Sequence, residues 1–161
     1  MKYLTGVELE EAKKYMTIAA KYAKHSTCVK SKRGAVIVKN GVIIGGGYND
    51  VTIESLCNPC IREEIKDDSC VELCSAVHAE HVAIIDALKK GNYLDGSTMY
   101  HVKVKDGEIR PCGPPSCTIC SREILKSGIS EFVIWHKEGY AVYNAKEFNE
   151  ISFQPFLNKK R

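Results

Sequence analysis

The 161-residue sequence has no long apolar run and only a small excess of charge. No stretch approaches the roughly 20 apolar residues that a membrane-spanning helix needs, so we expect no membrane protein. The 23 basic and 20 acidic residues are interspersed and give a net charge of +3, which is too small to predict a nucleic-acid-binding surface. With five prolines and no low-complexity tract, the composition is that of an ordinary globular protein.

The N-terminal residues also lack the features of a secretion signal. A basic start, an apolar core and a small-residue cleavage site are all missing. We therefore expect a cytoplasmic protein. At this length we expect a single domain, residues 1–161, that buries a core of its own.

Cysteine, in contrast, is abundant. The chain has eight cysteines, and two pairs have the Cys-x2-Cys spacing, Cys57 with Cys60 and Cys117 with Cys120. In a secreted protein such a number predicts disulfides, but without an export signal metal ligation is the better interpretation. Thiolates at this spacing are typical zinc ligands.

Hydrophobic periodicity predicts helices that alternate with strands. The predicted elements are helices at residues 6–24, 75–90 and 118–127, a β-hairpin at 35–44, and strands at 98–104 and 132–135. Residues 50–74 and 105–116 are expected to be loops, and the chain after residue 135 a small tail. This order implies an α/β protein whose sheet is covered by helices and is at least partly parallel.

Two short segments carry the chemistry, His78-Ala79-Glu80 and Cys117-Thr118-Ile119-Cys120, and each is predicted to lie in the first turn of a helix. One imidazole and two thiolates leave the fourth position of a tetrahedral zinc ion open, which is the pattern of a catalytic site. That position takes a water, which zinc acidifies to hydroxide near neutral pH. We therefore predict a catalytic zinc held by His78, Cys117 and Cys120.

Glu80 is the candidate proton carrier. Residues two apart on a helix do not share a face, which counts against Glu80 as a fourth ligand beside His78. A carboxylate next to the metal instead suits transfer of a proton from water to a leaving amine. Either motif alone is common, but the two together in this order are the signature of zinc nucleobase deaminases.

The sequence resembles the cytidine deaminase-like superfamily and, within it, the deoxycytidylate (dCMP) deaminase family, over about residues 15 to 150. The resemblance is carried by Ser26-Thr27-Cys28, Gly34-Ala35-Val36-Ile37-Val38, Gly47-Tyr48-Asn49, Cys60-Ile61-Arg62-Glu63-Glu64, Glu72-Leu73-Cys74, His78-Ala79-Glu80, Cys120-Ser121-Arg122 and Ser127-Gly128-Ile129. It implies a three-layer α/β/α cytidine deaminase-like fold with a mixed central sheet, hydrolytic deamination and assembly into homo-oligomers. It also implies that Asn49 contacts the substrate near its sugar or phosphate.

Three departures from the family pattern concern the substrate and one ligand. Val82 stands where the family commonly has Asn, one extra residue separates Pro115 from Cys117, and the preceding loop is enlarged around Cys112. Cys112 is therefore an alternative ligand to Cys117. The residues that follow Cys120 align Cys117 and Cys120 with the family pair, so these two are preferred.

The remaining cysteines predict a second, structural zinc site. Four thiolates would close such a site, and its metal would replace the missing core of the polar loop. Spacing alone favours Cys57, Cys60, Cys70 and Cys74. Some proteins similar to dCMP deaminases carry a second zinc, and matching segments favours instead the set adopted here, Cys28, Cys57, Cys60 and Cys74. The alternative is a group of reduced buried thiols.

A short basic stretch before the predicted hairpin, Lys30 to Arg33, is a candidate for binding a substrate phosphate. Lys32 and Arg33 are the predicted contacts, and a solvated turn is an equal alternative from the sequence alone. Aromatic residues that would either stack on a base or pack in the core are Tyr48, Trp135, Tyr140 and Tyr143. The histidines without partners at ligand spacing, interpreted as structural or surface residues, are His25, His81, His101 and His136.

The leading hypothesis is an enzyme in which zinc-bound hydroxide attacks C4 of a cytosine ring, with dCMP as substrate and dUMP as product. One alternative is deamination of another base, nucleoside or nucleotide, such as guanine, adenosine in tRNA or a cytosine-containing antibiotic. Adenosine in tRNA is disfavoured because it needs a broader basic surface. The other alternative is a non-catalytic zinc-stabilised binding protein on the same scaffold. Expected partners are a nucleotide and further copies of the chain.

Overall fold

The computed structural model describes residues 1–64 and 74–157, so Cys70 lies outside the described residues. The first half contains β1 (Lys2–Tyr3), α1 (Gly6–Ala23), β2 (Lys32–Lys39), β3 (Val42–Tyr48), β4 (Asp50–Val51), a 3-10 turn at Glu54–Leu56, α2 (Ile61–Glu64) and β5 (Ala76–Val77). The second half contains α3 (Ala79–Lys89), β6 (Thr98–Lys105), β7 (Glu108–Arg110), α4 (Thr118–Lys126), β8 (Glu131–His136), β9 (Gly139–Asn144) and α5 (Ala145–Leu157).

A mixed sheet lies at the centre, with strand order β1-β9-β8-β6-β2-β3 and β7 paired to the end of β6. The β6–β8 pair is parallel, whereas β2 pairs antiparallel with both β3 and β6. The β-branched run in β2 suits this central position, because residues 34–38 are buried on both faces of the sheet. The predicted α/β class with a mixed sheet is confirmed.

Helices cover both faces of the sheet. α1 lies on one face, and its buried stripe of Ala12, Tyr15, Met16, Ala19 and Ala23 packs with side chains of β2 and β6. α3, α4 and α5 lie on the other face, where the core includes Ile84, Ile124, Phe132 and Phe148. The predicted three-layer α/β/α arrangement is therefore confirmed. Within the ranges that the structure describes, no helix combines the length and the apolar character needed to cross a membrane.

Several predicted boundaries were wrong. The helix predicted from residue 75 begins at Ala79, because Ala76 and Val77 pair with β4 and His78 keeps an extended backbone. The loop predicted at 105–116 contains β7, which forms a hairpin with β6. The small tail predicted after residue 135 contains β9 and the 13-residue helix α5. The buried apolar side chains of β9 and α5 join the core on the α3 side of the sheet, and α5 also packs on α4.

Glycines in β3 allow α3 to lie directly on this strand. A Cβ atom at Gly47 would come within 2.5 Å of the backbone nitrogen of Ala83 and 2.8 Å of the carbonyl oxygen of Ala79. Real Cβ atoms do not approach backbone this closely, so only glycine permits this contact. The first turn of α3, next to His78 and Glu80, is thereby held against the sheet.

We expect Gly47→Ala to lower the free energy of unfolding by about 2–3 kcal/mol, because the new methyl group meets backbone that cannot move aside. Urea unfolding of the variant and the parent protein measures the difference. Gly113→Ala is the matched control, since a Cβ at Gly113 meets nothing within 4 Å. A Gly47→Ala protein as stable as the parent would contradict this account of the α3–β3 contact.

Candidate active site

The candidate site lies where α3 and α4 begin. His78 is the N-cap residue of α3, and Cys117 is the N-cap residue of α4, with the backbone N–H of Cys120 donating to Cys117 Sγ at 3.4 Å. Helix N-termini carry partial positive charge, which favours thiolates at these positions. The sequence analysis placed His78 and Cys117 inside the first turns, whereas both immediately precede them.

A contact between His81 and Glu123 joins the two helices one turn further along. His81 Nδ1 lies 2.8 Å from Glu123 Oε2. His81 follows His78 by three residues, and Glu123 follows Cys120 by three. The contact therefore joins α3 to α4 close to the two helix starts, on a partly exposed surface.

The side chains of His78, Cys117 and Cys120 converge. His78 Nδ1 lies 3.1 Å from Cys120 Sγ and 3.3 Å from Cys117 Sγ, and the two sulfurs are 3.1 Å apart. All three ligand atoms lie within 4.8 Å of one another, close enough for one ion to contact them all. Among residues 1–64 and 74–157, no other group of three or more His, Cys, Asp or Glu side chains meets this spacing.

The three side chains of this cluster strongly change one another's pKa values. The hydrogen bond with Cys120 lowers the pKa of Cys117 to about 5, and the same bond raises the pKa of Cys120. The hydrogen bond with Cys117 raises the pKa of His78 to about 9. Positive charge is thus stabilised at the centre of the cluster, where a metal cation would replace the protons.

Glu80, the second residue of α3, lies beside the cluster and is only 8% exposed. Burial would by itself raise the pKa of Glu80. The positive charges of His78 and Arg33 oppose this effect, and the net pKa lies below that of an ordinary glutamate. Glu80 is therefore an ionised carboxylate that stands outside the group of converging ligand atoms.

A cavity of about 470 Å³ opens beside the cluster, within the size range of small-molecule sites. His78 and Glu80 line one part of it. Its apolar wall includes Phe132, Ile134 and Phe148, and the rings of Phe132 and Phe148 stack at 4.0 Å. The cavity therefore offers apolar surface for a flat ring next to the ionised carboxylate.

Asn49 lines this cavity, and its side chain is also hydrogen-bonded to neighbouring residues. Its Oδ1 accepts hydrogen bonds from Ser26 Oγ (2.7 Å) and from the backbone N–H of Arg33 (2.8 Å). Its Nδ2 donates to the carbonyl oxygen of Ser31 at 2.7 Å. The second amide hydrogen of Asn49 has no partner in the described part of the chain, so it is available to a ligand.

Of the two residues predicted to bind the phosphate, Lys32 and Arg33, only Arg33 lines the cavity. Its guanidinium donates to Ser31 Oγ at 2.9 Å and to Cys112 Sγ at 3.5 Å. Side chains alternate along a strand, so Lys32 lies on the other face of β2, where it is exposed. Lys30 and Arg62, which the sequence analysis did not select, also line the cavity.

Cys112 and Cys117, the alternative ligands, occupy different places. Cys112 is buried, its backbone N–H donates to the carbonyl oxygen of Trp135, and its sulfur accepts from Arg33. Burial raises the pKa of the Cys112 thiol, which disfavours the thiolate that a metal needs. Cys117 lies in the converging cluster, so the geometry favours Cys117 as the ligand.

The four cysteines predicted to bind a structural zinc line the same cavity. Cys57 and Cys60 are buried, and Cys28 and Cys74 are half-buried. Burial is the main cause that raises the pKa of Cys57. The sulfur atoms of these four cysteines do not converge as closely as the ligand atoms of the first cluster.

Besides Arg62, the structure adds Phe132, Phe148 and His101 to the site, and none of them was assigned to it from the sequence. Phe132 and Phe148 form the apolar wall, whereas none of the four aromatic candidates named from the sequence lines the cavity. His101, interpreted as a structural or surface residue, is buried in the cavity wall beside Glu80. The alternation of β6 places His101 on the face of the sheet that α3 covers, but no sequence spacing relates it to Glu80.

Comparison with known proteins agrees with this arrangement. Residues 9–136 match the family described as "Cytidine and deoxycytidylate deaminase zinc-binding region". The deoxycytidylate deaminase of Mycobacterium phage D29 is 33% identical over 132 residues, which cover 77% of this chain and 92% of the phage protein. The deoxycytidylate deaminase of Saccharomyces cerevisiae is 31% identical over 123 residues, 74% of this chain. The chain spans only 35% of the length of that yeast relative.

A solved structure supports the same grouping. The dCMP deaminase from cyanophage S-TIM5, in apo form, matches with a TM-score of 0.55 and 25% identity, covering 76% of this chain and 80% of that one. The fold and the His/Cys/Cys cluster thus define the class as that of the cytidine deaminase fold. With the match over residues 9–136, this chain belongs to the cytidine and deoxycytidylate deaminase zinc-binding region family. The resemblance recognised in the sequence is confirmed.

Metal analysis distinguishes Cys117 from Cys112. We expect Cys117→Ser to bind one zinc per chain fewer than the parent protein, because a hydroxyl replaces one of three converging ligands. We expect Cys112→Ser to bind as much zinc as the parent. Elemental analysis after dialysis against a weak chelator measures both, and loss of zinc from Cys112→Ser alone would contradict the assignment.

Proposed function

We propose that this chain is a zinc-dependent hydrolytic deaminase of a cytosine nucleotide, with dCMP as substrate and dUMP as product. The support is the His78–Cys117–Cys120 cluster, which lies beside the ionised Glu80 at one end of a nucleotide-sized cavity. The phage and yeast relatives are deoxycytidylate deaminases, which favours the same substrate. We propose that the single domain extends over residues 1–161 and acts in the cytoplasm as a homo-oligomer.

Zinc fits the cluster because an imidazole nitrogen and two thiolates are its usual ligands where one position stays open for water or substrate. When bound, zinc acts as a Lewis acid that lowers the pKa of a water molecule. The cluster would supply one imidazole, whose proton is lost on metal binding, and two sulfurs at helix N-termini that favour the thiolate form. Glu80 lies outside this set of ligands, so its carboxylate is free to accept and donate protons.

Glu80 performs the proton transfers of the reaction. Its ionised carboxylate takes a proton from the attacking water as oxygen bonds to C4 of the ring, and delivers that proton to ring N3. It then carries the remaining proton of the new C4 hydroxyl to the amino group. The C4–N bond breaks, ammonia leaves, and the ring keeps a carbonyl oxygen. Burial of Glu80 keeps bulk water away from the transferred proton.

The cavity walls orient the substrate. The apolar wall of Phe132 and Phe148 packs against the base, and the remaining amide hydrogen of Asn49 faces the sugar. Arg33 offers a fixed guanidinium to a phosphate, since two hydrogen bonds hold it in place. An anion-binding side chain inside the cavity favours a nucleotide over a free base such as guanine.

We also propose a second, structural zinc held by Cys28, Cys57, Cys60 and Cys74. These four side chains all line the cavity, and two of them, Cys57 and Cys60, are buried. The same metal analysis tests this proposal. We expect two zinc per chain in the parent protein and one in Cys57→Ser, and an unchanged zinc content in Cys57→Ser would contradict it.

Glu80→Gln should abolish deamination and leave metal binding intact. We expect kcat for dCMP to fall by about 100-fold or more, because an amide cannot accept the proton. Ammonia release from dCMP, CMP, deoxycytidine, cytosine, guanine and adenosine compounds measures activity, with zinc content as the control. Release from guanine alone, or no release from any cytosine compound, would overturn the proposed substrate.

Arg33→Gln should selectively weaken binding of the phosphorylated substrate. We expect KM for dCMP to rise by about tenfold or more, as the loss of a charged hydrogen bond predicts, with KM for deoxycytidine little changed. Lys32→Gln is the second arm, and we expect it to alter KM for dCMP less than twofold because Lys32 lies on the other face of β2. A larger effect of Lys32→Gln than of Arg33→Gln would contradict the assignment of the phosphate end.

A further inference from the structure

His101 lies against the side chain that moves protons in the proposed reaction. It is only 6% exposed, and its ring stacks on Phe132 with centroids 5.8 Å apart. His101 Nε2 lies 3.8 Å from Glu80 Oε1. This separation is longer than a hydrogen bond, and no side chain of the described residues donates a hydrogen bond to the Glu80 carboxylate, so its orientation is open to His101.

The position of the proton on the His101 ring follows from its surroundings. Nδ1 is buried and has no hydrogen-bond partner among the described residues. A proton on Nδ1 would leave a buried donor unpaired and would turn the lone pair of Nε2 towards the Glu80 carboxylate, and both effects are unfavourable. The ring therefore carries its proton on Nε2, where it points towards Glu80.

The ring is also neutral. Burial lowers the pKa of His101 to about 4, and the positive charges of Arg33 and His78 act in the same direction, against the opposing pull of Glu80. A neutral ring with a fixed Nε2–H is a hydrogen-bond donor that does not compete with Glu80 for the transferred proton. Hydrogen bonds of catalytic groups are often long without ligand and shorten in the complex with substrate. Rotation of the Glu80 carboxylate is enough to bring one of its oxygens within hydrogen-bond distance of His101 Nε2.

We propose that His101 is a positioning residue whose Nε2–H holds the Glu80 carboxylate in the orientation that faces the His78–Cys117–Cys120 cluster and the cavity. The inference rests on the proposed function, in which Glu80 transfers the protons. In this role His101 acts through Glu80, and its ring is not among the converging ligand atoms.

Three substitutions test the position of the donor. The amide nitrogen of Gln can occupy the place of Nε2, that of Asn the place of Nδ1, and Leu carries no donor. For His101→Leu we expect kcat for dCMP to fall by about 10- to 100-fold, the usual loss when a residue that orients a catalytic group is removed, with KM and zinc content unchanged. His101→Gln should recover kcat to within a few-fold of the parent, and His101→Asn should resemble His101→Leu.

A double substitution tests whether His101 acts through Glu80. In a Glu80→Gln background, His101→Leu should lower the residual ammonia release no further, because its partner is already gone. An equal loss of kcat in both backgrounds, a change confined to KM, or a fully active His101→Leu protein would overturn the inference.

A measurement without substrate separates this inference from the proposed function. Nitrogen-15 NMR of the histidine rings in the zinc-loaded parent protein should show His101 neutral with its proton on Nε2. A proton on Nδ1 would overturn the inference even in an active enzyme. If the parent protein released no ammonia from any nucleotide, the proposed function would fail, and the NMR result would still decide whether His101 donates to Glu80.

Discussion

The site depends on one constraint, that two helices must begin at the same point. α3 and α4 each place a ligand at the N-cap position, so that His78 meets Cys117 and Cys120. Glycines in β3 let α3 lie close to the sheet, and the contact of His81 with Glu123 ties α3 to α4. The metal ligands, the buried glutamate and the cavity all follow from this arrangement of the two helix starts.

The same arrangement explains how His78 can be a metal ligand while Glu80, two residues later, acts as a base. His78 has extended backbone, whereas Glu80 lies in the first turn of α3, so the two side chains leave the chain in different directions. Glu80 reaches the region beside the cluster without joining it. Burial alone would favour a neutral glutamate, but the positive charges of His78 and Arg33 oppose it, so the carboxylate stays ionised and able to accept a proton.

Local patterns in the sequence were enough for the fold class, the central hairpin and the cluster, because turn residues, β-branched runs and ligand spacing are visible along the chain. They were not enough for His101 or Phe148, whose importance depends on how the sheet and the helices pack. The start of α3 was misplaced because Ser75 to Val77 have no residue that excludes a helix, and pairing of β5 with the distant β4 decided their conformation. The sequence offers Lys32 and Arg33 equally as basic residues that could bind a phosphate. Only the register of β2 shows that Arg33 lines the cavity and Lys32 does not.

The central claim is that this site replaces the amino group of a cytosine nucleotide by an oxygen from water. The most direct measurement is mass spectrometry of the product formed from dCMP by the zinc-loaded protein in water enriched in oxygen-18. We expect dUMP that carries one oxygen-18 atom, formed in equal amount to the ammonia released. Unchanged dCMP, or ammonia formed without labelled dUMP, would contradict the account.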